Sequence, residues 1–175
     1  MKGFTKRKIG LLLLILVCTS WVAQGQVTFP KPVIDTVEVV GVRDGDTIDA
    51  LINGEKSGIR LSGIDAPEKT QPYYQKSKEL LSKFVFGKTI VVTLYGTDRY
   101  GRYLGDIKLI NTNTWINLVL VQNGLAWHYK AYSKDTTLAL AETKARAYKD
   151  GLWADLGTAT PPVEPWNFRK SKRTP

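Results

Sequence analysis

The stretch VIDTVEVVGVRDGDTIDALI, from Val33 to Ile52, limits the possible folds more than any other part of the chain. Its β-branched residues recur at short spacing, and RDGD interrupts them with the residue types of a tight turn. It therefore predicts two strands joined in a hairpin. GEKSGIRLSGI (Gly54–Ile64) predicts a third strand, KTIVVTLYG (Lys88–Gly96) a fourth and GRYLGDIKLI (Gly101–Ile110) a fifth. Between the third and fourth, Pro72 can open a helix whose stripe is Leu80, Leu81, Phe84 and Val85, with Gly87 as its end. WINLVLVQNGLA (Trp115–Ala126) predicts a short buried helix stopped by Gly124. A third helix starts at Asp135, with Leu138, Ala141, Ala145 and Tyr148 spaced three and four apart and Gly151 closing it. Five strands with a helix inserted after the third predict an α+β, mainly β fold: a five-stranded Greek-key barrel of the OB-fold kind with about three helices.

The ends of the chain are of a different kind. Lys2, Lys6, Arg7 and Lys8 precede the apolar run IGLLLLILV, and AQG before Gln26 offers the small residues of a cleavage site. Residues 1–25 are read as a cleaved signal peptide, because the apolar run falls short of the ~20 residues a membrane span needs. The expected location is secreted or periplasmic, without stable membrane association after cleavage; an uncleaved anchor is the rival reading. Cys18 is the only cysteine, so the mature protein would have neither disulfides nor thiol chemistry. Residues 26–36 are expected to be a proline-broken linker, residues 37–156 the folded domain and residues 157–175 a flexible basic tail.

The net charge of +9 suggests a polyanion partner until it is located. Four positive charges sit in the leader and four in the tail (Arg169, Lys170, Lys172 and Arg173), while all the acidic residues lie between. The body is nearly neutral, so any affinity for phosphate must come from local placement.

Three short stretches supply such placement: DGDT (Asp44–Thr47), RLSGIDAPE (Arg60–Glu68) and DRYGR (Asp98–Arg102). Each falls where a strand meets a turn, the position from which a barrel can assemble a site. Asp46 and Asp65 offer hard anionic oxygens suited to Ca²⁺ or Mg²⁺ and not to zinc. Arg60 and Arg102 carry planar forks for phosphate oxygens, and Glu68 stands three residues beyond Asp65, placed to act on a water. Together these form a kit for phosphodiester hydrolysis. Taken singly, each stretch is more simply an ordinary charged turn or ion pair. His128, the only histidine, has no triad around it and is read as structural or as a rim contact.

DGDT, RLSGIDAPE, TDRYGR and VQNGLAWHYKAY, in that order, give the chain a strong resemblance to the staphylococcal nuclease-like (thermonuclease) family from about Val37 to Trp153. The resemblance implies an OB-fold, Ca²⁺-dependent nuclease acting on DNA and RNA and leaving 3′-phosphate ends. It assigns the metal to Asp46, Asp65 and the backbone carbonyl at Ala66, where the founding member has threonine. It assigns catalysis to Arg60, Glu68 and Arg102, and the nucleotide pocket to Tyr100 and Tyr132. Lys130 replaces a pocket tyrosine and would contact phosphate instead. A monomer is expected. The competing reading is a catalytically silent OB module that binds single-stranded nucleic acid through its aromatics.

Overall fold

The computed structural model describes residues 27–173. The expected leader and Cys18 lie outside the described residues. Among those described, no helix is long and apolar enough to cross a membrane.

Seven strands and four α-helices make up the described chain. β1 (Val27–Asp44), β2 (Thr47–Ile52), β3 (Glu55–Leu61) and the two-residue β4 (Ile64–Asp65) come first, then α1 (Tyr74–Val85). β5 (Thr89–Thr97), β6 (Tyr103–Leu109), α2 (Ile116–Gln122) and β7 (Trp127–His128) follow. α3 (Thr136–Tyr148), a short 3-10 helix (Gly151–Asp155) and α4 (Pro165–Ser171) come last. The first three strands, β6 and β5 close into a barrel in the order β1-β2-β3-β6-β5. All its pairs are antiparallel except β3 with β6, which run parallel and bring Arg60 level with Leu104. The five-stranded, mainly β architecture is the expected one.

Alternation explains the barrel interior. Val37 and Val39, Ile48 and Ala50, Ile59 and Leu61, and Ile90, Val92 and Leu94 are buried at every second position, because successive strand side chains point to opposite faces. Leu81 and Val85 of α1 and Ile116 and Leu120 of α2 join the same cluster. Full burial of each such side chain is worth about 1.5–3 kcal/mol. A second, aromatic cluster holds Trp127 edge-on to Trp153, ring centroids 5.4 Å apart, with Ala145 and Leu152. The β4–β7 pair joins the two clusters: Ile64 faces His128 and Asp65 faces Trp127.

Three expectations at the edges need correction. The linker expected over residues 26–36 is largely strand: β1 begins at Val27 and pairs along β5. Pro30 and Pro32 are tolerated because they fall in the register break between Thr28 and Val33, where no ladder donor is required. In α3, Tyr148 is 77% exposed, and Glu142 is buried beside Leu138, Ala141 and Ala145. The apolar spacing runs one turn beyond the buried face, since Lys149 enters the left-handed region (φ 58°) and ends the helix there. The third correction concerns the tail, whose residues 165–171 form α4, a helix opened by Pro165 in its first turn.

Candidate active site

The DGDT turn is clamped before it offers any chemistry. A Cβ at Gly45 would collide with Ser77 of α1 and with the Ala66 side chain, so only glycine lets α1 close on this turn. Leu61 donates its N–H to the Asp46 carbonyl (2.8 Å), and Ala66 donates its N–H to Asp46 Oδ2 (2.6 Å). The main chain and the carboxylate of Asp46 are thereby tied to both ends of the segment that carries Arg60 and Asp65.

Arg60 sits next to the last residue of β3, with Thr47 across from it on β2 and Leu104 on β6. Its guanidinium bridges the two aspartates, Nη1 lying 2.9 Å from Asp46 Oδ2 and Nη2 2.7 Å from Asp65 Oδ1; Nη1 also donates to the Leu61 carbonyl (3.0 Å). All three side chains are nearly inaccessible. Burial pushes the Asp46 carboxyl well above the usual carboxylate range, and neighbouring Asp44 and Asp65 push the same way; Arg60 and the Ala66 N–H oppose them. For Arg60, burial disfavours the charge, but Asp46 and Asp65 more than compensate, and its pKa is raised.

Glu68 lies in the turn after β4. Its N–H donates to Gln71 Oε1 (2.9 Å), while the Gln71 N–H donates to the Glu68 carbonyl (2.7 Å), a reciprocal clasp that fixes the turn. Arg102 approaches from the β5–β6 hairpin. Asp98 accepts from its Nε (2.8 Å) and backbone N–H (3.0 Å), and Arg102 Nη1 reaches Thr47 Oγ1 at 3.3 Å. Thr47 in turn donates to Asp46 Oδ1 (3.2 Å), which links the hairpin arginine to the carboxylate cluster.

A groove of about 840 Å³ collects these groups. Asp46, Arg60, Asp65, Ala66, Glu68 and Arg102 all line it, as do Tyr100 and Tyr132. Tyr100 is 66% exposed, with the guanidinium carbons of Arg99 and Arg102 4.9 Å and 5.6 Å from its ring centre. Tyr132 meets Tyr129 edge-on at 4.8 Å. Lys130 does not line the groove; its ammonium lies 3.4 Å from Glu142 on α3. His128 is buried outside the groove lining, and burial lowers its pKa.

The donor set suits a hard cation: the carboxylates of Asp46 and Asp65, with no sulfur or imidazole among the described residues that line the groove. Among the described residues, no three His, Cys, Asp or Glu side chains gather as a complete metal cage. An ion held here would keep water or substrate oxygens in its remaining positions.

Three residues of consequence escaped the sequence reading. Asn117 is wholly buried on α2. Its Nδ2 donates to the Ser62 carbonyl (2.9 Å) and to Asp106 Oδ1 (2.9 Å), and its Oδ1 accepts from the Ile107 N–H (3.2 Å). It thereby pins the exit of β3 to β6, just beyond Arg60. Gln71 clasps the Glu68 turn and also donates to the Val163 carbonyl (2.8 Å). Arg169, from α4, lies inside the groove against Asp65 and Glu68. The only signal for it was Pro-Trp-Asn-Phe ahead of the basic run, a helix start with aromatic anchors.

The Staphylococcal nuclease homologue family profile matches residues 58–155. An uncharacterized endonuclease of Haemophilus influenzae is 42% identical over 140 residues, covering 79% of this chain and 75% of that protein. One from Escherichia coli O157:H7 is 41% identical over 134 residues, covering 77% of this chain and 84% of its own. The staphylococcal-like nuclease CAN1 of Arabidopsis thaliana is 44% identical over 119 residues, which span 68% of this chain but 35% of the plant protein. With the profile matched over more than half of the chain and relatives of this identity and coverage, the chain belongs to the staphylococcal nuclease family.

Proposed function

We propose that the protein is an exported nuclease, its mature form starting near Gln26, that hydrolyses phosphodiester bonds of DNA and RNA in a Ca²⁺-dependent reaction. The observation that carries this reading is the meeting of Asp46, Arg60, Asp65 and Glu68 in one groove, with Arg102 joined to them through Thr47. Family membership and the relatives named as endonucleases and nucleases support it.

The chemistry follows from the residue types. Glu68 accepts the proton of a water attacking phosphorus, a role usually worth ~10²–10⁴ in rate. Arg60 and Arg102 donate to the non-bridging oxygens, where negative charge builds in the transition state. Arg60 is aimed for this by its bridge to two aspartates, so little ordering remains to be done when substrate arrives. Asp46, Asp65 and the Ala66 carbonyl would hold the Ca²⁺, which when bound adds positive charge beside the phosphate. Departure of the 5′ oxygen leaves a 3′-phosphate end. Tyr100 and Tyr132 give bases an aromatic surface at the rim.

The test is plasmid and RNA degradation by the purified native protein, with Ca²⁺ and with excess chelator, alongside mass analysis of its N-terminus. We expect activity only with the cation, 3′-phosphorylated products and a chain starting near Gln26. Full activity in chelator would remove the metal from the reading. Binding to single-stranded nucleic acid without any cleavage would leave a silent OB module.

A further inference from the structure

Asp65 has both carboxylate oxygens committed to arginines. Oδ1 accepts from Arg60 Nη2 (2.7 Å) and from Arg169 Nη1 (3.2 Å), and Oδ2 accepts from Arg169 Nη2 (2.8 Å). The same Arg169 Nη1 donates to Glu68 Oε1 at 2.6 Å. One guanidinium therefore spans the aspartate read as a cation ligand and the glutamate read as the base. Burial opposes the charge of Arg169, but the hydrogen bonds it donates to Asp65 and Glu68 outweigh it and raise its pKa.

The element that carries Arg169 is lightly held. α4 buries only Pro165, whereas α3 buries Leu138, Ala141, Glu142 and Ala145. Its other attachments include Trp166, which stacks on Tyr129 (4.8 Å, 6° between planes) and packs against the Trp127–Trp153 cluster, Lys172, which donates to Thr70 Oγ1 (2.9 Å), and Gln71, which reaches back to the Val163 carbonyl (2.8 Å). Residues 157–162, which join it to the body, are exposed except for the half-buried Pro162 and lie outside any helix or strand.

We propose that α4 is a cation-released latch: Arg169 serves as the resident counter-charge of Asp65 and Glu68, and a divalent ion binding at Asp65 must displace it. The proposal rests on the metal site assigned above. In the latched state Glu68 Oε1 accepts from a guanidinium that would compete with a water, and both oxygens of Asp65 accept from arginines that would compete with an ion. Displacement of the guanidinium frees both groups at once. Cation binding and opening of α4 are therefore a single exchange, and each must weaken the other.

Calorimetric titration of Ca²⁺ into the mature protein tests this, together with hydrogen exchange of α4 with and without Ca²⁺. Three proteins suffice: wild type, Arg169→Ala and Trp166→Ala. Charge-assisted hydrogen bonds of this kind, discounted for the partial exposure of Arg169, predict about tenfold tighter Ca²⁺ binding by Arg169→Ala. Trp166→Ala keeps the guanidinium but loosens the helix, and it too should bind Ca²⁺ more tightly. Amides of residues 165–171 in the wild type should exchange faster when Ca²⁺ saturates the site. Tighter binding by Arg169→Ala alone, with α4 exchange unchanged, would reduce the effect to simple charge repulsion and overturn the latch. Equal Ca²⁺ affinity in all three would do the same while leaving the metal site intact. If none of the three bound Ca²⁺, the metal reading would fall and the latch with it.

Discussion

Arg60 and Arg169 donate to the same carboxylate but come from opposite kinds of structure. Arg60 lies on a strand of a closed barrel, paired on both sides, its side chain 13% exposed, and bridges two aspartates. Arg169 extends from a helix of seven residues near the chain end, its side chain 35% exposed. Local hydrogen-bond geometry does not separate them, since both make contacts of 2.7–2.8 Å to Asp65. What separates them is how much structure must move to break the contact. Moving Arg60 means opening β3 from β2 and β6, whereas moving Arg169 means lifting about two turns of helix. A side chain built into the barrel suits chemistry that needs constant aim; one on a light helix suits a contact that is exchanged.

The largest expected effects lie on the barrel side of this contrast. Glu68→Gln should lower kcat by ~10²–10⁴, and Arg60→Lys by about a hundredfold although the charge is kept, because the planar fork is lost. KM should change little in both, since the lost interactions belong to the transition state. Steady-state kinetics on variants shown to be folded by circular dichroism would check this. Near wild-type kcat in both would reduce the RLSGIDAPE stretch to a charged turn and erase the distinction between the two arginines.

A smaller effect sharpens the contrast by weakening the scaffold itself. Asn117→Ala leaves the Ser62 carbonyl and the Ile107 N–H without their partner and should cost about 1–3 kcal/mol in denaturant unfolding. An unchanged midpoint would mean that α2 does not brace the end of β3.

The smallest effect concerns acid. Burial opposes ionisation of Asp49, but its hydrogen bonds from Arg43 and Lys56 prevail and hold its pKa below the ordinary 3.8. A depressed carboxylate stabilises the fold above its unfolded value, and that contribution is lost as pH falls through the folded value. The stability gap between wild type and Asp49→Asn, up to about 1 kcal/mol because both cationic partners are largely exposed, should be full at pH 6 and close below about pH 3.8. Thermal melts across that range would show it; a gap that widened in acid would reverse the assignment.

The barrel and most of its groove were legible in the sequence for a physical reason. Strand alternation and turn chemistry are local, so Ile48, Ala50, Ile59 and Leu61 declare their faces without reference to distant residues. Asp46, Arg60, Asp65, Glu68 and Arg102 were legible because strand ends and turns project them, and three short motifs hold them all. Asn117 and Arg169 were not, since their partners lie across the fold: Ser62 is 55 residues from Asn117, and Asp65 is 104 from Arg169. A basic run following Pro and Trp has the composition of a solvated tail, and only the carboxylates waiting in the groove make it a helix with a destination. Tyr148 misled in the opposite way, with correct spacing continued past the point where the helix has anything to cover.

The parallel seam between β3 and β6 has a bearing on how such a protein is made. Its three paired positions, Ile59 with Tyr103, Arg60 with Leu104 and Leu61 with Gly105, join segments more than forty residues apart in the chain. Contacts so distant form late, after the entropy of closing the intervening loop has been met. Until then Arg60, Asp65 and Glu68 stand on one side of an open sheet and Arg102 on the other, with no groove between them. A chain in which that seam has not closed would thus carry all of these side chains and still lack the groove that collects them.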